Sequence, residues 1–180
     1  MIAFPNPLGR TITALTLMAL PSPALAQIRA GSCVERPELE AMIVASLPPI
    51  AVGLSRKCTP VLPAGAPLRN GQALAARYKA DADRAWPAAR AAFAKVSEME
   101  LPSFLDPSTL QTVAGEVVAG AVVGGIPTSD CALIDRAAAA LAPLPGRNVG
   151  QLAVVAFEAA QARREDLPFT LCDTSRAPAR

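Results

Sequence analysis

The sequence contains no histidine among its 180 residues. Histidine is the commonest general base, the usual charge switch near neutral pH and the commonest metal ligand. Every catalytic triad that depends on an imidazole is therefore excluded. Aromatic residues make up only 4% of the chain, charged residues 18%, and the net charge is +2. This balance gives no reason to expect a nucleic-acid partner or binding to an anionic membrane surface.

The motifs of common cofactor sites are also missing. Gly124-Gly125 lacks the G-x-x-x-x-G-K pattern and the preceding strand of a phosphate-binding loop. The four cysteines are widely spaced, with no C-x-x-C pair, so neither a zinc site nor a redox pair is indicated. We therefore expect no cofactor and no metal.

The first 26 residues have the pattern of a secretory signal peptide. Arg10 and the amino terminus supply positive charge, residues 11–20 are apolar, and Ala24-Leu25-Ala26 matches an A-x-A cleavage site. Cleavage after Ala26 predicts a mature chain that begins at Gln27, is periplasmic or secreted, and has no membrane-spanning segment. The alternative interpretations are an amphipathic first helix and a lipoprotein signal at Ala30-Gly31-Ser32-Cys33, which the lack of a leucine three residues before the cysteine disfavours.

All four cysteines lie in the mature part of the chain: Cys33, Cys58, Cys131 and Cys172. An even number of cysteines in an oxidising compartment predicts two disulfides. We expect Cys33 to pair with Cys58, because a break at Pro48-Pro49 would fold the chain back on itself. We expect Cys131 to pair with Cys172, because two helices joined by a short turn should pack antiparallel.

The hydrophobic pattern is helical throughout, and no segment alternates with period two over the length of a strand. We therefore predict an all-α fold, a compact bundle of six or seven short helices stapled by two disulfides. It should form a single domain over residues 27–180, with a frayed tail from about residue 174. Breaks are expected at Pro48-Pro49 and at Asp81 to Asp83. The clearest amphipathic helix is predicted from about Arg84 to Glu100, with an inner stripe of Trp86, Ala89, Phe93 and Val96.

The stretch from Leu110 to Ile126 is apolar on nearly every side and follows Asp106-Pro107, a capping carboxylate before a proline at the first helical position. This composition predicts the most buried helix of the fold. Gly120-x-x-x-Gly124 should allow close packing in the core. A membrane dimerisation face is the alternative, but the stretch is short and Glu116 interrupts it.

Glu116 is the only candidate catalytic residue that the pattern singles out. If buried, it would have a raised pKa and serve as a general acid; otherwise it lies on the exposed strip of its helix. Two functions follow. The first is a non-enzymatic binding or interaction module for a periplasmic protein or a small apolar ligand, favoured by the lack of catalytic motifs. The second is a carboxylate-based hydrolase that uses Glu116 with a second carboxylate across a cleft.

Overall fold

The computed structural model describes residues 33–97, 106–163 and 169–172. Within them the chain forms five α-helices, which confirms the all-α prediction, although six or seven were expected. The helices are α1 (Arg36–Cys58), α2 (Gly71–Ser97), α3 (Pro107–Gly125), α4 (Cys131–Leu141) and α5 (Gly146–Ala162), with 3₁₀ helices at Pro67–Asn70 and Thr128–Asp130. No strand occurs in these ranges. The predicted signal peptide, its cleavage site at Ala26 and the tail from residue 174 lie outside the described residues.

Helix α1 continues through Pro48 and Pro49, so the predicted break at this point is wrong. Proline has a backbone φ that suits a helix, but each proline removes one helical hydrogen bond, at a cost of about 3 kcal/mol or more. Packing compensates for this cost, because α1 lies against α2, α3 and α5. Helix α1 is therefore the organising helix of the fold.

Helix α1 is also the one described helix whose length and hydropathy would alone allow it to cross a membrane. Helix α3 and the segment Thr128–Leu141 meet the same criterion only as a pair, and this pair is bent by 91°. Contact with three other helices accounts for the apolar composition of α1, since a core helix needs the same residues as a membrane span.

Helix α2 is likewise continuous, and the predicted break at Asp81 to Asp83 is wrong. Asp81 caps a different helix: its carboxylate accepts a hydrogen bond of 2.7 Å from the amide of Gly146, the first residue of α5. A negative charge at this end of α5 is favourable, because the amino-terminal end of a helix is electropositive.

The apolar residues of the described ranges form two cores. The main core lies between α1, α2, α3 and α5, and it contains the predicted inner stripe of α2, whose members are all buried: Trp86, Ala89, Phe93 and Val96. A smaller core surrounds Cys58 and Cys131, together with Leu62, Ala66 and Leu68.

The two disulfides are present, but the predicted pairing is wrong. Cys33 is bonded to Cys172, and Cys58 is bonded to Cys131. Because α1 is unbroken, it holds Cys33 and Cys58 roughly 35 Å apart. The predicted α4–α5 hairpin also fails, since α4 packs against the 3₁₀ helix Pro67–Asn70 whereas α5 packs against α1 and α2.

Cys33 and Cys172 are brought together by the backbone. The amide of Val34 donates to the carbonyl of Thr170, and the amide of Cys172 donates to the carbonyl of Val34, both at 2.9 Å. Val34 and Leu171 are buried on either side of this bridge. The bond therefore ties the two ends of the described chain to the main core.

Helix α3 begins where the sequence predicts. The Asp106 carboxylate accepts hydrogen bonds from the amides of Ser108 and Thr109, at 3.0 and 2.9 Å, and Pro107 is the first helical residue. This is the arrangement expected of a capped helix start.

The prediction that α3 is the most buried helix is wrong. Only Leu110, Gly115 and Ala119 of this helix are buried, whereas Val117 is 68% exposed. A Cβ atom at Gly120 would meet no neighbouring atom of the described chain within 4 Å, so the predicted close packing at this glycine is also wrong. The apolar composition of α3 did not distinguish its inner face from its outer face.

Candidate functional site: a cleft between three helices

Helices α2 and α3 both pack along α1 but barely contact each other. The space between them is a cleft of about 650 Å³, with α1 as its floor and α2 and α3 as its walls. Small-molecule sites commonly have volumes of about 300–1,000 Å³. The lining contains both apolar and polar residues. The apolar residues come mainly from the floor, and the polar residues come from the walls: Gln72, Lys79, Asp83, Ser108, Gln111, Thr112 and Glu116.

The floor is formed by the proline segment of α1, with Ala45, Pro48, Pro49 and Val52. A helical carbonyl normally accepts a hydrogen bond from the amide four residues later, or three residues later in a 3₁₀ turn. For Ala45 both of these residues are prolines, which have no amide hydrogen. The backbone of the floor therefore includes a carbonyl that has lost its usual helical donors.

Trp86 lines the cleft from α2 and is only 7% exposed. Its indole Nε1 is buried and has no hydrogen-bond acceptor in the described part of the chain. An unsatisfied buried donor costs about 1–3 kcal/mol, so an acceptor supplied by a bound molecule would recover part of this cost. Phe93 packs beside the indole, with ring centroids 6.1 Å apart.

Lys79 and Asp83 carry opposite charges on the α2 wall. The Lys79 Nζ atom lies 2.8 Å from an Asp83 carboxylate oxygen, and the Gln111 side chain donates to Asp83 from α3 across the cleft at 3.3 Å. The hydrogen bond and charge of Lys79, together with the Gln111 bond, lower the pKa of the Asp83 carboxyl. Asp83 is therefore an anion at neutral pH, and it joins the two walls.

Glu116, the sequence candidate for a general acid, lies at the edge of the same cleft. Its side chain is 54% exposed and its carboxylate is 4.0 Å from the Arg56 guanidinium. The exposed-strip interpretation therefore applies to Glu116. The general-acid hypothesis required a buried carboxylate, and this environment does not provide one.

The tyrosine and the cysteines, which are chemically reactive groups outside the lining of the cleft, have structural partners. The Tyr78 hydroxyl donates to the Leu141 carbonyl at 2.9 Å, and burial raises its pKa. The four cysteines are all in disulfides. Within residues 33–97, 106–163 and 169–172, no group of three or more acidic or cysteine side chains is arranged to hold a metal ion.

Of the polar residues that line the cleft, only Glu116 was predicted from the sequence as a candidate site residue. Lys79, Asp83 and Trp86 have the spacing of one helical face, at i, i+4 and i+7. The incorrect break at Asp81 to Asp83 divided this face between two helices. A continuous α2 would have placed the ion pair beside the only tryptophan in the chain.

No protein-family model, no curated protein and no solved structure matches this chain.

Proposed function

We propose that this protein is an exported, non-enzymatic binding module that holds a small ligand in the cleft between α1, α2 and α3. The observation that carries the proposal is the indole N–H of Trp86, a residue that lines the cleft; this donor is buried and has no acceptor in the described part of the chain. A bound molecule with an oxygen or nitrogen acceptor would satisfy this donor while covering the apolar floor.

The composition of the cleft also supports ligand binding. Binding sites for small molecules combine apolar surface with a few polar groups that fix orientation. Here Pro48, Pro49 and Val52 supply the apolar floor, and Asp83 and Gln111 supply polar groups on opposite walls. No carboxylate of the cleft is buried in the way a hydrolase acid requires, so binding without catalysis is favoured.

Two observations support export. The chain begins with the signal-peptide pattern of residues 1–26, and all four cysteines that follow it are in disulfides. Disulfides of this structural kind persist in oxidising compartments such as the periplasm. We place the mature protein in the periplasm or the extracellular medium, with its chain starting at Gln27.

The binding proposal is tested by a fragment screen that follows the fluorescence of Trp86. Because Trp86 is the only tryptophan, any change reports directly on the cleft. We expect small amphiphilic fragments to change the intensity or wavelength of the emission in a saturable manner. A library that produces no saturable change would contradict the proposal.

Two phenylalanine variants on α3 separate binding in the cleft from binding elsewhere. Thr112→Phe places a large ring in the cleft, whereas Val117→Phe adds comparable bulk at a residue that is 68% exposed and does not line it. We expect Thr112→Phe to abolish the fluorescence response and Val117→Phe to retain it. Equal responses in the two variants would contradict binding in the cleft.

A further inference from the structure

We propose, on the basis of the binding function above, that the ligand is a small organic cation: a protonated amine with a flat apolar body and a hydrogen-bond acceptor. Each of these three features corresponds to a group in the cleft. The charge of the walls corresponds to the amine, the apolar floor to the apolar body, and the indole N–H of Trp86 to the acceptor.

The charged residues that line the cleft favour a cation. They are Lys79, Asp83 and Glu116, which together give one net negative charge. Lys79 and Asp83 are paired with each other, so the net negative charge of the lining is carried by Glu116. The Arg56 guanidinium lies 4.0 Å from the Glu116 carboxylate, and because both side chains are more than half exposed, this ion pair is weak. Glu116 can therefore turn to an ammonium group in the cleft.

The inner surfaces of the cleft also suit a positive charge on an apolar body. An indole ring has an electronegative face that attracts cations within about 6 Å, and ammonium groups are recognised in this way. The side chains of Pro48, Pro49 and Ala82 provide apolar surface for the rest of the molecule.

The indole N–H adds a requirement for an acceptor on the same ligand. An amine alone is only a donor when protonated, so it would leave the Trp86 Nε1 group without a partner. A hydroxyl, ether or carbonyl oxygen near the amine would satisfy it. The combined description is an amino alcohol or a similar amine with an attached ring.

Three probes of nearly equal size test this inference: 2-amino-1-phenylethanol, 1-phenyl-1,2-ethanediol and mandelate. They share a phenyl ring and a hydroxyl, and they differ in carrying an ammonium, a second hydroxyl or a carboxylate. Binding is measured by isothermal titration calorimetry and by Trp86 fluorescence at neutral pH. We expect the amino alcohol to bind about two- to fivefold more tightly than the diol, which is the gain that a partly exposed ion pair provides, and mandelate to bind most weakly.

A charge-neutral variant tests which carboxylate is responsible for the preference for a cation. Glu116→Gln should reduce the preference for the amino alcohol over the diol, because it removes the carboxylate that carries the net charge of the lining. Asp130→Asn is the matched control, because Asp130 is an exposed carboxylate that precedes α4 and does not line the cleft. This control should leave the preference unchanged.

The outcomes separate the two proposals. Equal binding of the amino alcohol and the diol, or tighter binding of mandelate, would overturn the cation inference while leaving the cleft as a ligand site. A preference that survives Glu116→Gln would also overturn it. No binding by any of the three probes would overturn the inference, and a negative fragment screen would then remove the binding function itself.

Discussion

Gly115 of α3 lies directly against the ring of Pro49 in α1. A Cβ atom at Gly115 would be only 2.9 Å from Pro49 Cγ, closer than carbon atoms of packed side chains approach. The absence of a side chain therefore sets how closely α3 approaches α1. The same proline lines the floor of the cleft. The contact between Gly115 and Pro49 therefore sets the distance between α3 and this floor.

Replacing Gly115 by alanine should destabilise the protein, although alanine is the better helix former. The added methyl group overpacks the contact with Pro49, for which we expect a cost of about 1–3 kcal/mol. Gly120→Ala in the same helix is the control, because no neighbouring atom of the described chain lies within 4 Å of its Cβ position. It should stabilise the protein by up to about 1 kcal/mol. Chemical denaturation measures both, and equal effects of the two substitutions would show that α3 does not pack on Pro49 in this way.

Asp81 should contribute to stability through the helix that it caps. Asp81→Ala removes the acceptor for the Gly146 amide, which we expect to cost about 1 kcal/mol in the free energy of unfolding. Asp81→Asn retains an acceptor oxygen and should cost less. The control is Asp83→Ala, which removes a carboxylate from the same helix but no helix cap; its stability should exceed that of Asp81→Ala.

The disulfides should be recovered as Cys33–Cys172 and Cys58–Cys131. Trypsin cleaves after Arg56 and Lys57, which places Cys33 and Cys58 on different peptides. Mass spectrometry of a non-reduced digest can therefore distinguish all three possible pairings. A Cys33–Cys58 peptide from the native protein would contradict the continuous α1 helix.

Loss of the Cys58–Cys131 bond should be strongly destabilising. Its cysteines are 73 residues apart. In the chain-entropy model, a disulfide that closes a loop of this length adds about 4 kcal/mol to the free energy of unfolding. Both side chains are buried in the smaller core, so the double variant with alanine at both positions also loses packing there. Denaturation curves of the variant and of the parent should differ by at least about 3 kcal/mol, and a difference below about 1 kcal/mol would contradict this role.

The Asp106 cap should produce a pH-dependent contribution to stability. Hydrogen bonds from the hydroxyls and amides of Ser108 and Thr109 hold the pKa of the Asp106 carboxyl well below its usual range. Since the folded-state pKa is lower than the unfolded-state value of about 3.9, the stabilisation is fully present above that value and is lost as the pH falls below it. The parent should therefore melt at a higher temperature than Asp106→Asn at pH 7, and the difference should shrink between about pH 4 and pH 2. Asp130→Asn controls for removal of a surface carboxylate, and a constant difference for Asp106→Asn across this range would contradict the assignment.

Local sequence patterns predicted the helical class, the start of α3 at Asp106 and the buried stripe from Trp86 to Val96. These features depend on neighbouring residues: a capping side chain, a proline at the first helical position and apolar residues at helical spacing. They appear in the structure as predicted.

Features that depend on tertiary packing were not predictable in this way. Pro48 and Pro49 break an isolated helix, but packing on three sides keeps α1 intact. Asp81 has the character of a cap, yet the helix that it caps begins at Gly146, 65 residues away. The break predicted at the two prolines was therefore wrong, and the cap predicted at Asp81 was assigned to the wrong helix.

Those two errors also account for the missed site and the wrong disulfides. Dividing α1 at Pro48-Pro49 concealed the floor of the cleft and made a Cys33–Cys58 bond seem geometrically possible. Dividing α2 at Asp81 to Asp83 separated Lys79 from Trp86. Burial of the Trp86 indole without an acceptor has no signature in the sequence, since it depends on how three helices meet.

The most direct test of a ligand site in the cleft is the NMR resonance of the Trp86 indole N–H. The chain has one tryptophan, so this signal is unique in the spectrum of ¹⁵N-labelled protein. On titration with a fragment that binds, we predict a saturable shift of the indole signal, consistent with a new hydrogen-bond acceptor, and no such shift in Thr112→Phe. An indole signal that stays fixed at saturation, while signals from the exposed face around Val117 move, would show that the ligand binds outside the cleft and would contradict the proposed function.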